Sequence, residues 1–349
     1  MKLSPRGASG RIAPPAVLAA LALALLGCSG DAATPGSPPG ASPRETAPAS
    51  GARGPAIDLD CPALFAAAAP EAALGVGLEP TSVTGAGLGD YLGLAYAATQ
   101  RAGGLVCAWE GPAGFLQLIV LPGAGASWSD HAAELALFQP LEGRFGTSYH
   151  ACMAGCRADV LVGEHWLSAV VSSSGGEDAA WAIVDRAVAA VAAAGPGDAA
   201  PEPGAAVGCD ALVPDAVRTA AVGAPLTADA RFAPTQPVLL HAGLMQQGGT
   251  HCFWMGDAGG DTSIRVGLLP GGAEQWDAYW EEEADPAIVP VTWQEAPPLG
   301  DAARAGCFET ACFVSVRAGE DWLSVDVKAG HGAHLVAASS IAEAVLAAR

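Results

Sequence analysis

Nine cysteines and seven histidines are the residues of this 349-residue chain best equipped for chemistry. Thiolates and imidazoles bind zinc at short, regular spacings. The two close cysteine pairs, Cys152 with Cys156 and Cys307 with Cys312, are CxxxC and CxxxxC, and no histidine stands beside them at finger spacing. His331 and His334 lie three apart near the start of the last helix, a spacing that can hold a metal but is also that of an exposed helix end. Glu281, Glu282, Glu283 and Asp285 read as a solvated helix face. Asp257 and Asp261 flank glycines in a turn that lacks the closing glutamate of a calcium loop. Ser172, Ser173 and Ser174 fall where serines cap helices. GxSxG, HExxH, GxGxxG and P-loop patterns are absent. Lys2 and Lys328 are the only lysines and asparagine does not occur, which excludes a Walker-type lysine and a Cys-His-Asn triad. No catalytic residue, metal or cofactor is expected.

The ninth cysteine has a different setting. Residues 1–15 carry Lys2, Arg6 and Arg11 without an acid, and an apolar run of 11 residues follows, Ala16 to Leu26. That run is too short to span a bilayer and suits a signal-peptide core. It ends in Leu25-Leu26-Gly27-Cys28, which resembles the bacterial lipobox. The resemblance implies cleavage after Gly27 and acylation of Cys28, diacylglyceryl thioether and amide-linked palmitate included. Two or three acyl chains would make a stable membrane anchor. Residues 28–57, rich in Gly, Ala, Ser and Pro, read as a disordered tether. Losing residues 1–27 moves the net charge from −20 to −23, because Lys2, Arg6 and Arg11 go with them. So acidic a chain repels phosphate backbones, and nucleic acid is not an expected partner.

These residues are positioned by a repetition. Gly163-Glu164-His165-Trp166-Leu167-Ser168 returns as Gly319-Glu320-Asp321-Trp322-Leu323-Ser324, and six of the nine tryptophans fall at matched places. Residues 58–194 and 208–349 therefore read as two copies of one domain, joined by a Pro/Gly/Ala-rich linker at 195–207. Each copy is about 140 residues, enough for its own core. Each opens with an Ala-rich helical stretch, Cys61 to Gly75 or Cys209 to Gly223, broken by Pro70 or Pro214. The apolar runs Tyr91 to Ala98 and Pro237 to Met245 are expected to be strands, forming hairpins with the strands of Cys107-Ala108-Trp109 and Cys252-Phe253-Trp254. Third strands end at Leu121-Pro122-Gly123 and Leu269-Pro270-Gly271, and helices with Trp128 or with Trp276, Tyr279 and Trp280 follow. A closing helix ends each copy. The fold class is α+β: two duplicated domains, each an antiparallel sheet covered by helices.

The pattern resembles domains of secreted lipoproteins of unassigned function from high-GC Gram-positive bacteria, which open with Cys-x-x-Leu and later carry a Cys-x-Trp strand. The matching residues are Cys61 with Leu64, Cys107 with Trp109, Cys209 with Leu212 and Cys252 with Trp254. The resemblance implies an exported cell-envelope module and no particular reaction. Export places the eight remaining cysteines in an oxidising compartment, so two disulfides per copy are the default. Order alone permits three pairings in each; the favoured one is Cys61–Cys107 with Cys152–Cys156, and Cys209–Cys252 with Cys307–Cys312. On the Trp-Leu-Ser strands, Leu167, Ala169 and Val171 share the core face, while Trp166 and Trp322 point to the other. These indoles are either covered by a helix or are candidate aromatic contacts for a partner or glycan. The expected function is that of an extracytoplasmic, lipid-anchored binding or envelope-interaction module, its protein, glycan or small-molecule ligand unknown. An envelope hydrolase or a structural spacer are the alternatives. An enzyme would concentrate acids and bases in one copy; a binding module would keep both surfaces alike.

Overall fold

The computed structural model describes residues 56–75, 77–81, 90–112, 114–131, 135, 139–140, 144–152, 155–173, 175–197, 202–228, 238–256, 262–282, 291–308, 310–329 and 333–349. The leader, Cys28 and the tether up to residue 55 lie outside the described residues, as do Asp257, Asp261, Glu283, Asp285 and His331.

The first half begins with β1 (Ile57–Asp58), α1 (Cys61–Ala68) and α2 (Pro70–Leu74). Asp60 caps α1, its Oδ1 accepting from the Ala63 N–H at 2.7 Å. Ala69 takes a left-handed conformation (φ 42°), and Pro70 restarts the helix from there. Next come β2 (Glu79–Pro80), α3 (Asp90–Arg101), β3 (Leu105–Gly111), β4 (Gly114–Leu121) and α4 (Gly125–Asp130). Strands β5 (Gln139–Pro140), β6 (Ser148–Cys152), β7 (Cys156–Val162) and β8 (His165–Ser173) follow, then α5 (Gly176–Ala193) and β9 (Gly195–Pro196). Pairing of β1 with β9 brings the two ends of this half together.

The second half repeats the order: α6 (Cys209–Leu212), α7 (Asp215–Val222), β10 (Leu226–Ala228), α8 (Val238–Gln246), β11 (Thr250–Gly256), β12 (Ser263–Leu269) and α9 (Ala273–Glu282). It ends with β13 (Thr292–Gln294), β14 (Ala302–Cys307), β15 (Cys312–Ala318), β16 (Asp321–Lys328) and α10 (His334–Ala347). The sheets match strand for strand: β2-β3-β4-β8-β7-β6-β5 and β10-β11-β12-β16-β15-β14-β13, antiparallel throughout. The fold is α+β, two antiparallel sheets clothed by helices.

One expectation is overturned in both halves. Tyr91 to Ala98 and Val238 to Met245 are not strands: they belong to α3 and α8, and the hairpins are β3–β4 and β11–β12, while Pro237 lies outside the described residues. Leu92 through Thr99 are all buried, so this helix has no polar stripe and no helical period to read.

Helices α1, α2 and α5 cover the outer face of the first sheet, and α6, α7 and α10 that of the second, each enclosing its own apolar core. A third core lies between the sheets and is shared: Leu94, Trp128 and Trp166 of one half pack with Leu240, Trp276 and Trp322 of the other. Its centre is α3 against α8, where Gly243 lets the helices approach; a Cβ there would stand 2.6 Å from Thr99 Oγ1. The joint is reciprocal. Arg101 at the end of α3 donates to the Gly271 carbonyl, and Gln246, its counterpart at the end of α8, donates to the Pro122 carbonyl at 2.9 Å.

Candidate functional site

The eight cysteines form the four favoured disulfides, Cys61–Cys107, Cys152–Cys156, Cys209–Cys252 and Cys307–Cys312. Cys107 shares the outer core of its half with Trp109, and Cys252 that of its half with Trp254, as the Cys-x-Trp spacing requires. Among the described residues no three His, Cys, Asp or Glu side chains gather closely enough to hold a metal. His334 is used locally: its Nδ1 accepts from the Ala329 N–H at 2.8 Å, just ahead of α10.

Trp166 and Trp322 offer nothing to a partner or glycan. Both are fully buried, facing the shared core rather than the exterior. The repeated Gly-Glu turn explains the cover. Glycines 163 and 319 have φ near 60° and close tight turns, and the carbonyls of Glu164 and Glu320 accept from the N–H groups of Ala124 and Ala273. Helices α4 and α9 are thereby laid over the indoles. Trp166 Nε1 donates to Asp159, while Trp322, Trp276 and Trp280 all donate to Ser315 Oγ at 3.0–3.2 Å.

Matched positions on the inner faces of the two sheets differ in chemistry. In the second sheet one row crosses four strands as Phe253, Arg265, Asp326 and Phe313, and the next as His251, Gly267, Ser324 and Ser315. The corresponding rows of the first sheet read Ala108, Gln117, Val170, Arg157 and Val106, Ile119, Ser168, Asp159. On the helix above, Tyr96 of α3 corresponds to His241 of α8, each seven residues before its Gly103 or Gly248. In the first half Tyr96, Val106 and Gln117 are buried and Val170 is partly exposed; Gln117 Nε2 donates to the Tyr96 hydroxyl at 3.1 Å, and the charged pair on this face is Arg157 with Asp159. In the second half His241, His251, Arg265 and Asp326 are each only partly exposed.

Three imidazoles line up beside this cluster, His131 of the first half with His241 and His251 of the second. His131, just after α4, lies 5.4 Å from His241, and His241 lies 5.4 Å from His251, ring centre to ring centre. The Nδ1 of His131 sits 2.8 Å from the Ser127 carbonyl and is therefore its protonated nitrogen. Burial pushes the His241 imidazole down to about 4, with repulsion from His131 adding to it. Burial also holds His251 well below the ordinary imidazole value, assisted by His241 and Arg265. The Asp326 carboxyl is pushed up to about 6, because burial outweighs the pull of Arg265. Its Oδ2 is enclosed and makes no hydrogen bond among the described residues. The Arg265 guanidinium lies 5.4 Å from the centre of the Phe253 ring. The cluster thus holds one fixed cation, one reluctant anion and, in His241 and His251, two imidazoles whose charging burial disfavours.

A concavity of about 460 Å³ lies between α7 and α10, lined by Val217, Val336, Ser340 and alanines. It offers apolar surface and no ionisable group.

None of the residues of this inner-face cluster was expected as a site from sequence. The available signal was mismatch: His241, His251, Arg265 and Asp326 replace Tyr, Val, Gln and Val at matched positions, but the match required α3 and α8 to be recognised as helices. The chain matches no protein-family profile, no curated protein and no solved structure.

Proposed function

We propose that the chain is an extracytoplasmic lipoprotein, held to the membrane through Cys28, whose second half binds a small polar ligand while the first half acts as scaffold. The observation that carries this reading is a difference at matched positions: His241, Arg265 and Asp326 of the second half, all partly exposed, stand where the first half has Tyr96, Gln117 and Val170. Burying an ionisable group costs stability unless it is paired. The lipobox, the signal-peptide pattern and the four disulfides support an exported setting.

An envelope hydrolase is the second reading, favoured by the Asp326 carboxyl, whose rise to about 6 lets it exchange a proton near neutral pH. The histidines argue against it, because an imidazole near 4 is a weak general base at neutral pH.

The test is thermal unfolding of the full chain in detergent against small acids, amines, zwitterions and sugars. A ligand at 100 times its Kd stabilises by about 2.7 kcal/mol, which for a chain of this size is a rise of about 5 °C. We expect one class to give it, with the rise lost in Arg265→Met and kept in Gln117→Leu. If no class shifts the transition, the binding reading fails; turnover of a compound, abolished by Asp326→Asn, would put the hydrolase in its place.

A further inference from the structure

One row of side chains in the joint between the halves changes charge with acidity. His131, His241 and His251 stand in line across it, each ring edge-on to the next at 5.4 Å between centres. The first belongs to one half and the other two to the second, so the row crosses the contact of α4 with α8. His131 Nδ1 already donates to the Ser127 carbonyl, which leaves Nε2 to take up a proton. An imidazole so charged repels the next one, and parting the halves relieves both the repulsion and the lack of water.

The groups around the row fix the sign. Next to His241 stand His131 beyond α4 and His251 on β11, and Asp130 beside His131 is exposed. From α3, Tyr96 accepts from Gln117 of β4, and Arg101 donates to the Gly271 carbonyl. Arg265 of β12 disfavours a charge on His251 and favours the carboxylate of Asp326 on β16. Burial holds His241 down to about 4 against an ordinary 6.5, so a fall from pH 7 to 5 favours the wetted imidazole about twentyfold. His251 acts in the same sense. Asp326, pushed up by burial to about 6 from 3.8, opposes them about tenfold. Two imidazoles outweigh one carboxyl. Each half meanwhile keeps an outer core and two disulfides of its own, away from the row. We propose that the joint is acid-responsive: protonation along the His131–His241–His251 row parts the halves at α3 and α8 while both sheets stay folded. This holds whatever the second half binds.

Thiol reactivity toward dithiodipyridine tests it, measured on the full chain in detergent and divided by that of a cysteine peptide at the same pH. Thr99→Cys on α3 and Ala242→Cys on α8 each place a thiol in the joint, and Ala187→Cys and Ala342→Cys place one in each outer core. All four parent side chains are fully buried. Between pH 7 and 5 either joint thiol should become at least about tenfold more reactive, while the outer thiols stay within about twofold. His241→Gln in the Thr99→Cys chain should hold the rise to about twofold, because only His251 then works against Asp326. Joint thiols that do not respond to acid overturn the proposal. So does an equal rise at all four sites, which marks unfolding of the whole chain, and so does a rise that survives His241→Gln.

Discussion

Three indole N–H groups converge on the hydroxyl of Ser315, although a hydroxyl oxygen has only two lone pairs. Ser315→Ala leaves all three donors buried without that acceptor, and at about 1–3 kcal/mol for each unsatisfied group it should cost about 3 kcal/mol or more in urea unfolding. Ser168→Ala is the contrast. Its hydroxyl is equally buried but has no partner among the described residues, so its loss should stay within about 0.5 kcal/mol. Three side chains of the inner-face cluster contribute to acid sensitivity. His241, at about 4 when folded and 6.5 ordinarily, loses stability as pH falls from 6.5 toward 4, because the unfolded chain takes up the proton first. His251 acts in the same sense. Asp326 acts in the opposite one: its folded value of about 6 exceeds the ordinary 3.8, so it destabilises progressively as pH rises from about 4 to 6. Two imidazoles against one carboxyl leave a net uptake of about one proton on unfolding, so the wild type should weaken between pH 6.5 and 4.5. Asp326→Asn should gain up to about 3 kcal/mol at pH 7 and show a steeper acid loss. Unfolding curves at pH 7, 5.5 and 4.5 check both the sign and the slope.

Among the elements, α3 and α8 matter most, because their crossing joins the halves and carries His241. Gly243→Ala places a Cβ 2.6 Å from Thr99 Oγ1 and should cost about 1–3 kcal/mol. Thr99→Ala in the same chain should recover part of that, read as a positive coupling in a double-mutant cycle. These helices were also the least legible part of the sequence. A helix enclosed on every side is apolar on every side, and Leu92 to Ala98 gives the same pattern as a buried strand. The Gly-Glu turns, the closing helices and the cysteine pairs were legible because each rests on local spacing. The inner-face cluster was not, since placing His131 beside His241 and Arg265 beside Asp326 needs both the strand order and a helix packed between two sheets. The bridges also differ in weight. Cys61–Cys107 closes a loop spanning 46 positions and Cys152–Cys156 one spanning 4. Replacing the longer should cost about 4 kcal/mol against about 2 for the shorter, on chain entropy. Thermal unfolding of the two serine double variants measures the gap.

For the molecule as a whole, the shared core governs cooperativity. Either half alone would expose Leu94, Trp128 and Trp166, or Leu240, Trp276 and Trp322, to water. Fragments 56–197 and 202–349 made separately should self-associate or melt well below the intact chain, and mixing them should restore a single transition. Two fragments each unfolding at the temperature of the intact chain would show that the middle core adds nothing. The reciprocal reach of Arg101 to Gly271 and of Gln246 to Pro122 is the geometry of an isologous dimer interface. Two separate identical chains meeting this way would present every inner-face residue twice, so each polar substitution would incur its burial cost on both sides. Covalent continuity lifts that constraint. One side can change its inner-face chemistry, as His241, Arg265 and Asp326 show, while its counterpart holds the joint, leaving a single receptor per polypeptide, one-to-one stoichiometry and a saturation curve with a Hill coefficient of one.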